Sequence, residues 1–124
     1  MTPSQERLIQ ELTEVSPNLG EIRESSISDY GELLPHLFFG DLTRYVVALF
    51  LETQSDDGSG SERAKVLRSL LEVLERAFAE GDEKIQELIS VSFLEHLPRP
   101  REEPGWQIRS LIGPQMSEQL EVIG

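Results

Sequence analysis

In the stretch LLPHLFFGDLTRYVVALFLE, residues 33–52, apolar side chains return with a helical period, and that period limits most what the chain can become. Leu42, Tyr45, Val46, Leu49 and Phe50 stand at i, i+3, i+4, i+7 and i+8, which is one side of an α-helix. Val47, Ala48 and Leu51 widen the stripe, so the spacing predicts a helix buried on most sides. The same spacing recurs at Leu8, Ile9, Leu12 and Val15, and again at Leu67, Leu70, Leu71, Leu74, Ala77 and Phe78. It recurs once more at Ile85, Leu88, Ile89, Val91, Phe93, Leu94 and Leu97. No segment alternates apolar and polar residues as a half-buried strand would. The expectation is an all-α protein, one domain over residues 1–124, built as a helical bundle or a short stack of antiparallel helix pairs with five to seven helices. Its core should include Leu42, Val46, Leu49, Phe50, Leu67, Leu71, Leu74, Phe78, Leu88, Phe93 and Leu94.

Punctuation residues place the boundaries. Thr2 is a cap with Pro3 at the first helical position, and Pro17 stops that helix, giving 4–15. Residues 18–26 read as little more than a turn, with Leu19, Ile22 and Ile27 available to pack it. Asp29 followed by Glu32 resembles a capping box and opens a helix over 29–39, which Pro35 limits or kinks. Asp41, after Gly40, sits where an N-cap belongs and would start a separate helix over 41–53. The segment QSDDGSGSE, residues 54–62, is too polar to bury surface, and 54–61 is expected to be a mobile loop. Ser59 and Glu62 form a second capping box for a helix over 62–80, and Gly81-Asp82 is a short joint to a helix over 83–97. Pro98 and Pro100 end it, and helices over 104–112 and 114–122 follow.

The charge narrows the possible partners. There are 11 Lys and Arg against 23 Asp and Glu, a net charge of -12. Residues 1–60 contribute 11 acids against 3 bases, net -8, and residues 61–124 contribute 12 acids against 8 bases, net -4. A surface this negative repels phosphate backbones and anionic lipid, so neither nucleic acid nor a membrane is an expected partner. It attracts a basic protein. Absence of cysteine excludes disulfides and thiolate metal sites and is compatible with a cytoplasmic location. Charges break the apolar pattern of MTPSQERLIQELTEV, so it is not expected to be a signal peptide, and no run approaches the roughly 20 apolar residues of a membrane span.

Little in the chain points to catalysis. His36 and His96 lie 60 residues apart, and a zinc site needs three or four converging ligands. The acid pairs Asp56-Asp57, Asp82-Glu83 and Glu102-Glu103 fall in loops or caps, where carboxylates are normally solvated. The GSG of residues 58–60 lacks the lysine and the preceding strand of a phosphate loop. The chain is expected to be no enzyme and to carry neither metal nor organic cofactor. The polar residues inside the apolar stretch have structural readings: Asp41 as a cap, Arg44 reaching Asp41, Tyr45 needing a polar outlet for its hydroxyl, and His36 packed near Pro35.

Three segments carry a resemblance: LLPHLFFGDLTRYV (33–46), FAEGDEKIQELISVSFLEHLP (78–98) and IRSLIGPQMSEQL (108–120). They look like a family of small acidic helical bacterial proteins encoded beside polymorphic toxins and thought to be immunity proteins. The resemblance implies a protein that binds and neutralises a cognate toxin domain, a basic one given the charge here, and does so as a monomer or weak homodimer. The alternative is a non-enzymatic helical adaptor or regulatory protein-binding domain. The partner surface is expected to draw on Glu24, Asp29, Tyr30, Glu32, His36 and Asp41, joined by Glu95 and His96 if the helices pack face to face.

Overall fold

A computed structural model describes residues 2–53, 60–99, 102 and 105–123. Among these there are seven α-helices, one 3-10 turn and no strand: α1 (Pro3–Val15), α2 (Pro17–Tyr30), α3 (Pro35–Thr53), α4 (Gly60–Glu80), α5 (Glu83–Ser92), the turn Leu94–His96, α6 (Gly105–Arg109) and α7 (Pro114–Ile123). The fold is an all-α bundle. α3 packs against α2, α4 and α5, while α4 also packs against α1 and α7. The buried apolar side chains form a cluster that draws on all seven helices, with α2 and α6 contributing one residue each, Leu19 and Ile108. All eleven residues expected in the core are buried, none more than 9% exposed.

Several boundaries follow the capping rules. Thr2 accepts the Gln5 N–H and Gln5 returns a bond to the Thr2 N–H, a complete capping box. Asp82 accepts the Ile85 N–H at 3.0 Å and opens α5. Others differ from the sequence reading. Residues 18–26 are not a turn but the middle of α2, where Pro17 takes the first helical position because its missing N–H would be unpaired there anyway. Asp29 caps nothing; it lies in the last turn of α2. Gly31 ends that helix with φ 76°, a left-handed conformation costly to other residues, and donates to the Ile27 carbonyl. α3 then starts at Pro35, because Leu34 precedes a proline and is steered away from helical geometry.

The largest correction concerns Gly40 and Asp41. α3 runs through both without a break, so Asp41 is no N-cap. Phe38, Phe39 and Leu42 are buried on either side of the pair and carry the helix across it. A Cβ on Gly40 would meet nothing within 4 Å. Gly40→Ala is therefore expected to stabilise the protein by about 0.5–1 kcal/mol through backbone entropy alone, read as a higher urea midpoint.

Near the other end, α5 closes at Ser92 rather than at 97, and Leu94–His96 continue as a 3-10 turn that keeps Phe93, Leu94 and Leu97 in the core. Val91 faces solvent. α6 is also shorter than the expected 104–112, only five residues long, while α7 matches the expected 114–122 to within one residue. Residues 54–59 lie outside the described residues, and with them most of the loop expected over 54–61 and the Ser59 half of the second capping box; α4 already begins at Gly60, so the loop does not extend to 61. Glu75 of α4 makes a contact no local pattern announces. Its carboxylate accepts the N–H groups of Gln115 (2.6 Å) and Met116 (3.1 Å), capping α7 from another helix.

Candidate functional site

α2 has few apolar residues; Leu19 is buried, whereas Ile27 and Tyr30 are 40% and 58% exposed. Asp29, next to Tyr30 in the chain, and the more distant Glu24 and Glu32 are all exposed. The last turn of α2 contains no basic residue. A helix C-terminus carries partial negative charge and favours cations, so Asp29 in the last turn opposes the helix dipole. The arrangement lowers stability and concentrates negative potential on an exposed aromatic ring.

α2 and α3 leave between them a groove of about 770 Å³. Its lining includes Glu21, Ser26, Asp29, Tyr30, Asp41 and Tyr45, with Arg44 the only basic residue. Arg44 donates to Asp41 one helical turn earlier, as the sequence spacing allows, and both side chains are well exposed. Tyr45 finds its polar outlet at the α1–α2 junction: its hydroxyl lies 2.7 Å from Ser16 Oγ and accepts from Asn18 Nδ2 at 3.4 Å. Ser16 is only 3% exposed. Tyr45→Phe strands that hydroxyl and should cost about 1–3 kcal/mol, whereas adding Ser16→Ala should cost little more. Equilibrium unfolding of the single and double variants checks this.

Ser26 was not picked out by sequence reasoning. It is 4% exposed, lines the groove, and its hydroxyl has no hydrogen-bond partner, not even a carbonyl of its own helix. A serine inside a polar helix carries no sequence signal for this; only the packing shows it.

The remaining candidates divide. His36, in the first turn of α3, meets Ser92 Oγ of α5 through Nδ1, and the Ser92 carbonyl accepts the Thr43 hydroxyl at 3.2 Å. His36 thus joins α3 to α5, but it is exposed and not packed as expected, and it sits at a helix start and not at a kink. Glu95 and His96 lie on the 3-10 turn, exposed, and line a different groove of about 1030 Å³. Arg99 and Arg109 line it too, which makes its rim more basic than the α2–α3 groove. Arg44 lines both grooves. So Asp29, Tyr30 and Asp41 are brought together, Glu24 and Glu32 flank Tyr30 in the chain, and Glu95 with His96 belong elsewhere.

Among the described residues no three His, Asp or Glu side chains converge as metal ligands would, and no helix is long and apolar enough to cross a membrane. A family model described as a domain of unknown function (DUF7674) matches residues 6–121. No curated protein and no solved structure matches the chain.

Proposed function

The chain belongs to the DUF7674 family, and we propose that it is an immunity-type inhibitor that binds and neutralises a basic bacterial toxin domain in the cytoplasm. It acts by occupying its target and not by catalysis. The observation that carries this reading is the end of α2, where Asp29 and an exposed Tyr30 stand together at the negative pole of a helix, with exposed Glu24 and Glu32 on either side in the chain. Aromatic anchors within a polar rim dominate binding energies at protein interfaces, and complementary charge speeds encounter. A fold does not benefit from acids placed against a helix dipole; a cationic partner does.

The test is co-expression with a toxin domain encoded beside the gene. Growth should be rescued from one such domain, and the purified pair should associate more slowly as salt rises, because exposed charges are screened over about 8–10 Å at physiological ionic strength. Failure to bind any neighbouring toxin removes the reading. The second groove, with Arg44, Arg99 and Arg109 on its rim, favours an alternative. Two binding faces of different charge suit an adaptor, and binding to a non-toxin protein without any rescue would select it.

A further inference from the structure

We infer that the groove between α3, the 3-10 turn and the end of α7 is a docking site for an acidic peptide segment of a partner protein, a carboxylate flanked by apolar side chains. This does not depend on the toxin reading. Three other grooves hold more carboxylates than guanidiniums: three against one between α2 and α3, two against one beside Arg63, and three against two beside Arg76. The groove at the 3-10 turn reverses that balance, with Arg44, Arg99 and Arg109 against Glu95 and Glu102, in a chain of net charge -12. Arg44 is committed to Asp41. Arg99 and Arg109 form no ion pair among the described residues, although two carboxylates line the same groove.

Arg109 decides the ligand class. It is half-buried, and its Nε donates to the Pro98 carbonyl at 3.0 Å. That bond restrains the guanidinium and leaves its two Nη groups, which have no hydrogen-bond partner among the described residues, as an open fork. A carboxylate accepts from both at once, and a guanidinium already held in place loses little freedom in binding it. Arg99 follows Pro98 in the chain and adds a second positive charge to the same groove. Glu95 and Glu102 are exposed to water, so the charge hardest to solvate here is the positive one. Val47, half-buried, and Ile123, 36% exposed, supply apolar surface beside it. Nucleic acid would meet the repulsion of the whole chain, and a bare phosphate would leave Val47 and Ile123 wet. A peptide carboxylate with apolar neighbours satisfies both kinds of surface.

The probe is acetyl-Leu-Asp-Leu amide, followed by amide chemical shifts of the labelled full-length protein, with acetyl-Leu-Asn-Leu amide as the neutral isostere. Saturable shifts at Val47, Leu97, Arg99 and Arg109 are expected, with a Kd on the order of a millimolar. The neutral peptide should bind at least about fivefold more weakly. Arg109→Gln should weaken the acidic peptide by about tenfold, and Arg99→Gln, an exposed and better screened charge, by about threefold. Arg68→Gln removes an exposed charge of α4 outside the groove and should leave the affinity unchanged. The Arg99 side chain makes no bond among the described residues, so its replacement keeps the fold and leaves the test readable even if Arg109→Gln disturbs the Pro98 contact. Equal binding of the two peptides, unchanged affinity in Arg99→Gln, or an equal loss in Arg68→Gln overturns the inference. Inorganic phosphate binding as tightly as the acidic peptide overturns it too, because the apolar surface then contributes nothing.

Discussion

Phe39→Ala should lower the stability of this protein by about 3–5 kcal/mol, the cost of losing a buried aromatic ring and leaving a cavity. Phe38 and Phe39 are both completely buried, consecutive in α3, with ring centroids 5.9 Å apart in an edge-to-face arrangement. Consecutive residues of a helix point about 100° apart, so the two rings enter the core along different directions. Against a total stability of about 5–15 kcal/mol, the loss brings the chain close to unfolding at room temperature. Leu37, the preceding residue, is 44% exposed, and its replacement by alanine should change stability by no more than about 0.5 kcal/mol. Urea titration of the two variants distinguishes them, and similar losses at 37 and 39 would mean that α3 is rotated from the orientation described.

The paired reversal Asp29→Lys with Glu32→Lys has effects of opposite sign on folding and on binding. Both residues are exposed and sit at or just beyond the C-terminal end of α2. Lysine there complements the helix dipole, so folding stability should rise by about 0.3–1 kcal/mol per favourable charge. Association with the proposed basic partner should slow by about tenfold or more, because the steering field is both weakened and locally inverted. Stopped-flow association rates and urea midpoints measured on the same sample separate the two effects. An unchanged rate in this well-folded variant would place the interface away from α2. This combination, a more stable protein that binds more slowly, is not what generic damage to the fold would produce.

Periodicity located the core because burial is what creates periodicity. Leu42, Val46, Leu49 and Phe50 are buried for the reason their spacing suggested. Capping signals were less dependable where two neighbouring elements could claim the same residue. Asp29 and Glu32 have the spacing of a capping box, but Gly31 between them takes a left-handed turn, and the helix that ends there outcompetes the one that would begin. Gly40-Asp41 reads as a stop and a cap; the burial of Phe38, Phe39 and Leu42 outweighs a propensity penalty of about 1 kcal/mol for one glycine. α2 was missed because its apolar positions are sparse, and a helix that exposes Ile27 and Tyr30 leaves little pattern to detect. The acid excess of residues 1–60 was legible from charge alone, but not its placement at the end of a helix. Its partition into two grooves was not, because that depends on how α2, α3 and the 3-10 turn are set around Arg44.

Glu75 bonds to amides 40 and 41 positions further along the chain. Closing a loop of that length costs entropy before two hydrogen bonds can return it, so the contact becomes favourable only after α5 and the 3-10 turn have brought the intervening chain back onto α4. α7 is therefore expected to dock late, onto a bundle already assembled, with the carboxylate fixing the register at which it lands, and Glu75→Gln should then speed unfolding far more than it slows folding. Folding order is written here in one side chain, a place where helical periodicity has nothing to say.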